Sequence, residues 1–416
     1  YRDKQQAQAL GILAGTPAIS GALAFFIAGL MGTLLTWRLS FGILSVLSLV
    51  VFVLSFRLKP IPRQSGVQID LVGALLAALA IMLISLGFNN LNAWGITWAK
   101  PAAPFSLLGL SPAPFMIILG VVLGQAFFAW AHRRVAREKT PLLALEVLDS
   151  PEERSNIMSL LVIGALGPAV NFLIPLYLQI VQNRTSLQTA VTVIPYTLAI
   201  AASAMLIVRL FDRLTPRQIA TIGFVIVALG LTLLAYTIRN EWMTPVVIFS
   251  LILVGLGEGS LLTLLFNVMV SASPKELAGD VGALRGVANN LSTALGTAFA
   301  SVVAVSLLSA IVLSSLAQSN IPNSLKGQVN LDNVNFITND QLETVLGETT
   351  ATAVEVAEAV SINEAARLQA LKASFLILAG IALLALVPAR GLPAYVPGEV
   401  PSGKPEKKGR RTQKKE

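Results

Sequence analysis

The chain has 416 residues, 55% of them hydrophobic and 12% charged, with a net charge of +8 and no cysteine. Its mean hydropathy of +0.73 excludes an ordinary soluble globular domain, and the lack of cysteine excludes disulfides, thiol catalysis and thiolate-bound metals. The positive charge sits in loops and at the C-terminus rather than along a folded surface, so it is read as membrane orientation and not as nucleic-acid binding.

In chain order, ten apolar segments long enough for transmembrane helices lie at 8–33, 38–56, 69–91, 112–131, 156–181, 188–210, 217–238, 244–270, 286–314 and 373–389. The fold class expected is an all-α polytopic membrane protein with about ten crossings, because only helices satisfy their own backbone hydrogen bonds in hydrocarbon. The opening Tyr1-Arg-Asp-Lys-Gln-Gln reads as an interhelical loop, so the sequence is expected to be part of a longer protein. With the N-terminus placed in the cytoplasm, 23 of the 30 Lys and Arg residues fall on the inner side and 7 on the outer. That asymmetry predicts an even number of crossings with both termini cytoplasmic.

Two stretches fall outside the spans. Residues 315–371 form an outer loop with seven acidic and two basic residues, and from Asn339 onwards their composition predicts one or two surface helices. The tail 392–416 is rich in Pro, Gly and Lys and is expected to be disordered and cytoplasmic. His132, the single histidine, reads as a solvated residue at a helix end. Trp94, Trp98 and Trp242 read as anchors at the outer interface.

Glu258, in Gly255-Leu-Gly257-Glu258-Gly259-Ser260, is the one acid near the middle of a span. An ionised carboxylate there costs about 2.5–3.5 kcal/mol, so Glu258 must face a cavity, meet a counter-charge or carry a proton. Asn171, Gln179, Asn267, Asn289 and Asn290 are the other polar residues within spans that could line a substrate path; each could equally bind helix to helix. Gly167-Pro168 and Pro175 predict a kinked or broken helix. No phosphate-binding loop, Ser–His pair or metal cluster is present, so no catalytic residue, metal ligand or cofactor is assigned and an enzyme is not expected.

Several motifs together resemble the major facilitator superfamily, in its fourteen-helix drug:proton antiporter branch. Gly15-Thr16-Pro17-Ala18-Ile19-Ser20-Gly21, followed by Trp37-Arg38, resembles that branch's Gly-Pro-x-x-Gly-Gly helix. Gly15, Pro17 and Gly21 carry the match, and Thr16 and Ser20 stand where glycines are usual. Phe211-Asp212-Arg213-Leu214-Thr215-Pro216-Arg217 resembles the cytoplasmic loop signature of these transporters. Asp212, Arg213 and Arg217 match it, and Val208 and Thr215 replace glycines. Leu176-Tyr177-Leu178-Gln179, Ser186–Ala190, Ile194-Pro195 and the small-residue run Leu291–Ala298 after Arg285 extend the likeness; Gln68-Ile69-Asp70-Leu71-Val72-Gly73 resembles the entry to the two central helices.

The resemblance implies a partial major facilitator fold that lacks the first four helices. Residues 1–63 would close the N-terminal half and 64–155 would be the central pair with its cytoplasmic loop. Residues 156–391 would be the C-terminal six-helix half, with the outer loop and then the tail. It also implies a secondary active transporter in the cell membrane. Its partners would be the lipid bilayer, a small-molecule substrate and the proton as coupling ion, with export of lipophilic cationic drugs. The asparagines, Gln179 and Glu258 would then serve substrate and proton, Asp212, Arg213 and Arg217 the gate, and Gly15, Pro17 and Gly21 close helix packing. A lipid, siderophore or metabolite exporter of the same fold, or a transport-inactive remnant or scaffold, are the alternatives. Protease added to right-side-out cells is expected to cut within 315–371; cutting confined to inverted vesicles would reverse the orientation.

Overall fold

The computed structural model describes parts of 16–31, then residues 37–57, 70–137, 139–143, 150–211, 213–241, 245–272, 278–319, 321–322, 336–347 and 351–394. The expected tail, and most of the first span, lie outside the described residues. The helices are α1 (Trp37–Ser55), α2 (Leu71–Trp94), α3 (Pro112–Ala136), α4 (Pro151–Leu176), α5 (Ser186–Leu206) and α6 (Pro216–Thr237). They continue as α7 (Pro245–Ala272), α8 (Ala278–Gln318), α9 (Asn339–Gly347), α10 (Ala353–Leu384) and α11 (Leu386–Ala389). Among the described residues there is no strand, only isolated bridges between Trp98 and Leu110 and between Leu107 and Leu110.

Eight of the ten expected spans are helices long and apolar enough to cross a bilayer; the apolar part of α1, Phe41–Ser55, is shorter. The protein is therefore a polytopic, all-helical membrane protein. Prolines at the first turns of α3, α4, α6 and α7 help set where those helices begin, since a proline there removes no helical hydrogen bond. Capping boxes fix the starts of α4 (Ser150 with Glu153), α5 (Thr185 with Gln188), α6 (Thr215 with Gln218) and α10 (Thr352 with Glu355).

The core sits among α4 to α8 and α10. α7 is its axis and packs on α6, α5 and α4, while α8 packs on α4 and α10 closes against α6 and α8. Between helices in lipid the gain comes from close approach, and α7 achieves it through glycines. A Cβ on Gly255 would lie 2.5 Å from the Tyr196 carbonyl of α5, and one on Gly257 would lie 2.8 Å from the Gly223 carbonyl of α6. At the basic end of the bundle, where Arg133, Arg209 and Arg217 lie, Asn156 of α4 donates to the Leu265 carbonyl of α7. There the Arg285 guanidinium of α8 lies 3.8 Å from the Phe266 ring centre.

α2 and α3 form an antiparallel pair that leans on α8, with Asn92 donating to Ser301. Gly87 and Gly120 face each other's helix, and a Cβ on either would lie 2.6 Å from an isoleucine of the other. The basic ends of the pair are fastened by Asp70. Its Oδ1 accepts from Trp130 Nε1 and from the Gly73 amide, both at 3.0 Å, and Arg134 Nε lies 3.5 Å from Oδ2. Burial pushes the Asp70 carboxyl up, but the hydrogen bonds and the Arg134 charge outweigh it and hold the group below the usual carboxylate range.

Three features differ from expectation. α10 runs unbroken from Ala353, so the second half of the expected outer loop is the projecting start of the last long helix; among the described residues of the loop, α9 is the separate surface helix. Its helix-forming composition was legible, but nothing in sequence marks where a surface helix ends and a spanning one begins. Arg367, assigned to that solvated loop, is 1% exposed on α10. Its guanidinium donates to the Ile180 and Ile337 carbonyls and to Asn339 Oδ1, so it ties α10 to the end of α4 and to the approach to α9. Finally, α8 has 41 residues, about 61 Å at 1.5 Å per residue, twice the hydrocarbon thickness of roughly 30 Å.

Asp70→Ala should destabilise the detergent-solubilised protein by about 1–2 kcal/mol through loss of the α2 cap, read as a lower Tm. Because the folded carboxyl is more acidic than the unfolded one, its contribution is present above the ordinary carboxylate range and lost as pH falls below it. The wild type and variant should therefore converge in stability only at acid pH.

Candidate functional site

Glu258 occupies the middle of α7 and is 7% exposed. Its backbone lies in the run of glycines that seats α7 against α5 and α6, and its side chain is directed at α4, where a Cβ on Gly167 would collide with the carboxyl group. Glycine at 167 is what makes room for it. Tyr196, in the middle of α5 and 1% exposed, donates its hydroxyl proton to Glu258 Oε2 at 2.5 Å. The Asn171 amide on α4 lies beside the same phenol. Acid, phenol and amide thus come from three helices and meet within the apolar core.

The surroundings of this cluster are irregular. Pro168 follows Gly167 inside α4, Pro175 is its last residue but one, and the helix then widens into a π-turn at Tyr177–Val181. A proline inside a helix removes a backbone hydrogen bond, and π-turns relieve such mismatches. Pro195 precedes Tyr196 inside α5. The π-turn is held to the α6–α7 connection. Tyr177 donates to the Arg239 carbonyl at 2.9 Å, and Gln182 donates to the Tyr177 hydroxyl at 2.7 Å and to the Glu241 carbonyl at 2.6 Å.

The other residues singled out in the sequence are dispersed. Gln179 is half-buried in the π-turn, beyond the cluster. Asn267 is buried on α7 and accepts from Ser271; nine residues below Glu258, it is about 13.5 Å away along the axis. Asn289 and Asn290 are exposed on α8. Arg213 is exposed, and Asp212 lies outside the described residues. Arg217 binds backbone: its amide donates to the Pro393 carbonyl at 3.3 Å and its guanidinium to the Arg390 carbonyl. Gly15, Pro17 and Trp242 also lie outside the described residues, and among the described residues nothing approaches within 4 Å of a Cβ on Gly21. Further along the first span, Gly29 meets Ser186 and Ala190 of α5, whereas the described side chains of α1 are all exposed. His132 is exposed on α3.

Sequence reasoning missed Tyr196 and Arg367. Tyr196 was signalled only by a phenol beside a proline in mid-span, where a buried hydroxyl needs a partner. Arg367 was signalled by nothing in the sequence: it follows Glu364 by three residues, as a solvated helix pair would.

An all-helical bundle crossing the membrane many times, with a buried acid at its centre, defines the class of polytopic membrane proteins. The family follows from comparison: the Major Facilitator Superfamily profile matches residues 1–297, and the chain belongs to that superfamily. It is 24% identical over 325 residues to the tetracenomycin C resistance and export protein of Streptomyces glaucescens, covering 76% of this chain and 56% of that one. It is 26% identical over 322 residues to the lincomycin resistance protein LmrB of Listeria monocytogenes, covering 74% and 62%. Against the multidrug resistance protein Stp of Mycobacterium tuberculosis it is 23% identical over 327 residues, covering 78% and 57%. The chain thus spans a little over half the length of these relatives. Family and relatives point to membrane transport rather than to catalysis.

Tyr196→Phe should leave the buried Glu258 carboxyl without its donor and destabilise the protein by about 1–3 kcal/mol, read as a lower Tm in detergent. Glu258→Gln keeps an acceptor for the phenol and should cost less. If Tyr196→Phe melts with the wild type, the two side chains are not partners.

Proposed function

We propose that the chain belongs to a proton-coupled exporter of lipophilic cationic small molecules, in the fourteen-helix branch of the superfamily, where it corresponds to helices five to fourteen. One observation carries this: the Glu258 carboxyl, buried mid-span and hydrogen-bonded by Tyr196. A carboxyl in hydrocarbon is stable when protonated and costly when ionised, unless a cation shares the site. Proton and cation therefore compete for one group, which is the requirement for exchanging one against the other. The relatives named for drug resistance and export support the substrate class.

In this mechanism Tyr196 holds the carboxyl oxygen that does not carry the proton, and Asn171 orients the phenol. Access depends on α4, whose Pro168, Pro175 and π-turn leave it interrupted on both sides of Asn171. The basic ends of the helices face the cytoplasm, following the Lys and Arg asymmetry. Gln179 would lie on the outward path. Asn267 would lie on the inward one, and Asn289 and Asn290 on a face of α8 turned to substrate or to further helices. Arg213 and Arg217, with Asp212, would set the cytoplasmic gate by holding the start of α6 to the chain after α11.

The test uses the full-length protein in proteoliposomes with an imposed proton gradient. Adding a lipophilic cation should release protons from the wild type, and Glu258→Gln should abolish that release. Proton release and efflux both unchanged in Glu258→Gln would place coupling elsewhere. Lipophilic cations that move no protons through the wild type would remove the substrate class.

A further inference from the structure

The connection between α2 and α3, residues 95–111, does not fit the usual description of a solvated loop. It is built as a small hairpin: Ala99 donates to the Gly109 carbonyl at 3.0 Å and Ser111 to the Thr97 carbonyl at 2.9 Å. At its tip Leu107 and Leu110 exchange backbone hydrogen bonds around Leu108-Gly109, with φ of 56° and 83°. Positive φ at both central residues is a tight turn normally made by Asn-Gly. Leucine in the left-handed region is unusual, and Leu108 is 99% exposed. Trp98 is 70% exposed, and Ile96, Phe105 and Leu107 are exposed beside it. A strained backbone that displays leucine and tryptophan suits lipid and not water. The hairpin directly joins two spanning helices, so it lies at the depth of the headgroups.

Behind the hairpin, between it and α8, is a cleft of about 450 Å³, within the roughly 300–1,000 Å³ range of small-molecule sites. Asn92, Ser306 and Ser309 give it a polar wall, Leu91 and Val302 an apolar one. Lys100 is its one charged lining residue, and no ion pair to the Lys100 ammonium forms among the described residues. The site therefore offers one cation and several hydroxyl and amide groups, with apolar surface alongside. That is the pattern of a single anionic headgroup with its chains running down the helices.

We propose that this cleft binds an anionic phospholipid of the leaflet at the hairpin end, its phosphate on Lys100 and its acyl chains between α2 and α8. The lipid would fill the seam where the α2–α3 pair leans on the bundle, next to the Asn92–Ser301 hydrogen bond. This is independent of whether the protein exports drugs, since neither Glu258 nor any helix of its cluster lines the cleft.

The experiment titrates the delipidated full-length protein with dioleoylphosphatidylglycerol and with dioleoylphosphatidylcholine, counting bound lipid by native mass spectrometry. Phosphatidylglycerol should bind the wild type at least five-fold more tightly, about the effect of one lysine near a surface. Lys100→Gln should erase that preference and Lys100→Arg keep it. Ser306→Leu, which fills the cleft without changing charge, should weaken phosphatidylglycerol as much as Lys100→Gln does. An equal melting temperature for the variants excludes misfolding as the cause. The proposal is overturned if the wild type does not distinguish the two lipids or if Lys100→Gln retains the preference. It is equally overturned if Ser306→Leu binds as the wild type does, or if glycerol phosphate, which has no chains, binds as tightly as the lipid.

Discussion

Helices in hydrocarbon gain nothing by hiding apolar side chains from lipid that is equally apolar, so this bundle depends on how closely its backbones approach. That constraint is concentrated on α7. Gly255 meets α5 and Gly257 meets α6, each closely enough that a methyl group would clash with a backbone carbonyl. Glu258 sits within this run, so its position is as narrowly set as the packing itself. A carboxyl so placed has no water to turn to, and Tyr196 supplies the donor that water would have supplied. Packing and chemistry therefore rest on the same few residues.

α4 is the element that departs from regularity. It carries Gly167 and Asn171 to the buried acid, but Pro168, Pro175 and the π-turn break its hydrogen-bond ladder on either side. Its far end is nevertheless firmly tied. Tyr177 and Gln182 hold the α6–α7 connection, and Arg367 of α10 grips the Ile180 carbonyl. An interrupted helix with an anchored end bends at the interruption, which here adjoins the site.

The α2–α3 pair is a separate construction. Facing glycines bring the two helices together, and Asp70 joins their basic ends through Trp130, Gly73 and Arg134. Its contact with the bundle is through α8, and the hairpin cleft opens along that contact. The pair is thus internally fastened and more lightly attached.

Much of this was legible in one dimension. Hydropathy located eight spans, because the length of an apolar run is a local quantity that the bilayer tests directly. Proline at helix starts and Ser or Thr with Glu or Gln three residues on fix where the helices begin, again by local chemistry, although hydropathy alone put three of those starts at 156, 188 and 373. Glu258 stood out because a lone acid in an apolar run is anomalous wherever it points. What sequence could not decide was direction and partnership. Asn171 and Asn289 read alike as amides in spans, yet one meets Tyr196 in the core and the other is exposed on α8. Arg367 read as a loop cation and is buried, because α10 continues through what composition treats as a boundary. Which face of a helix meets which neighbour depends on contacts between residues far apart in the chain, and in a membrane, where both faces of a helix are apolar, no periodicity records it. Only the packed structure assigned those faces.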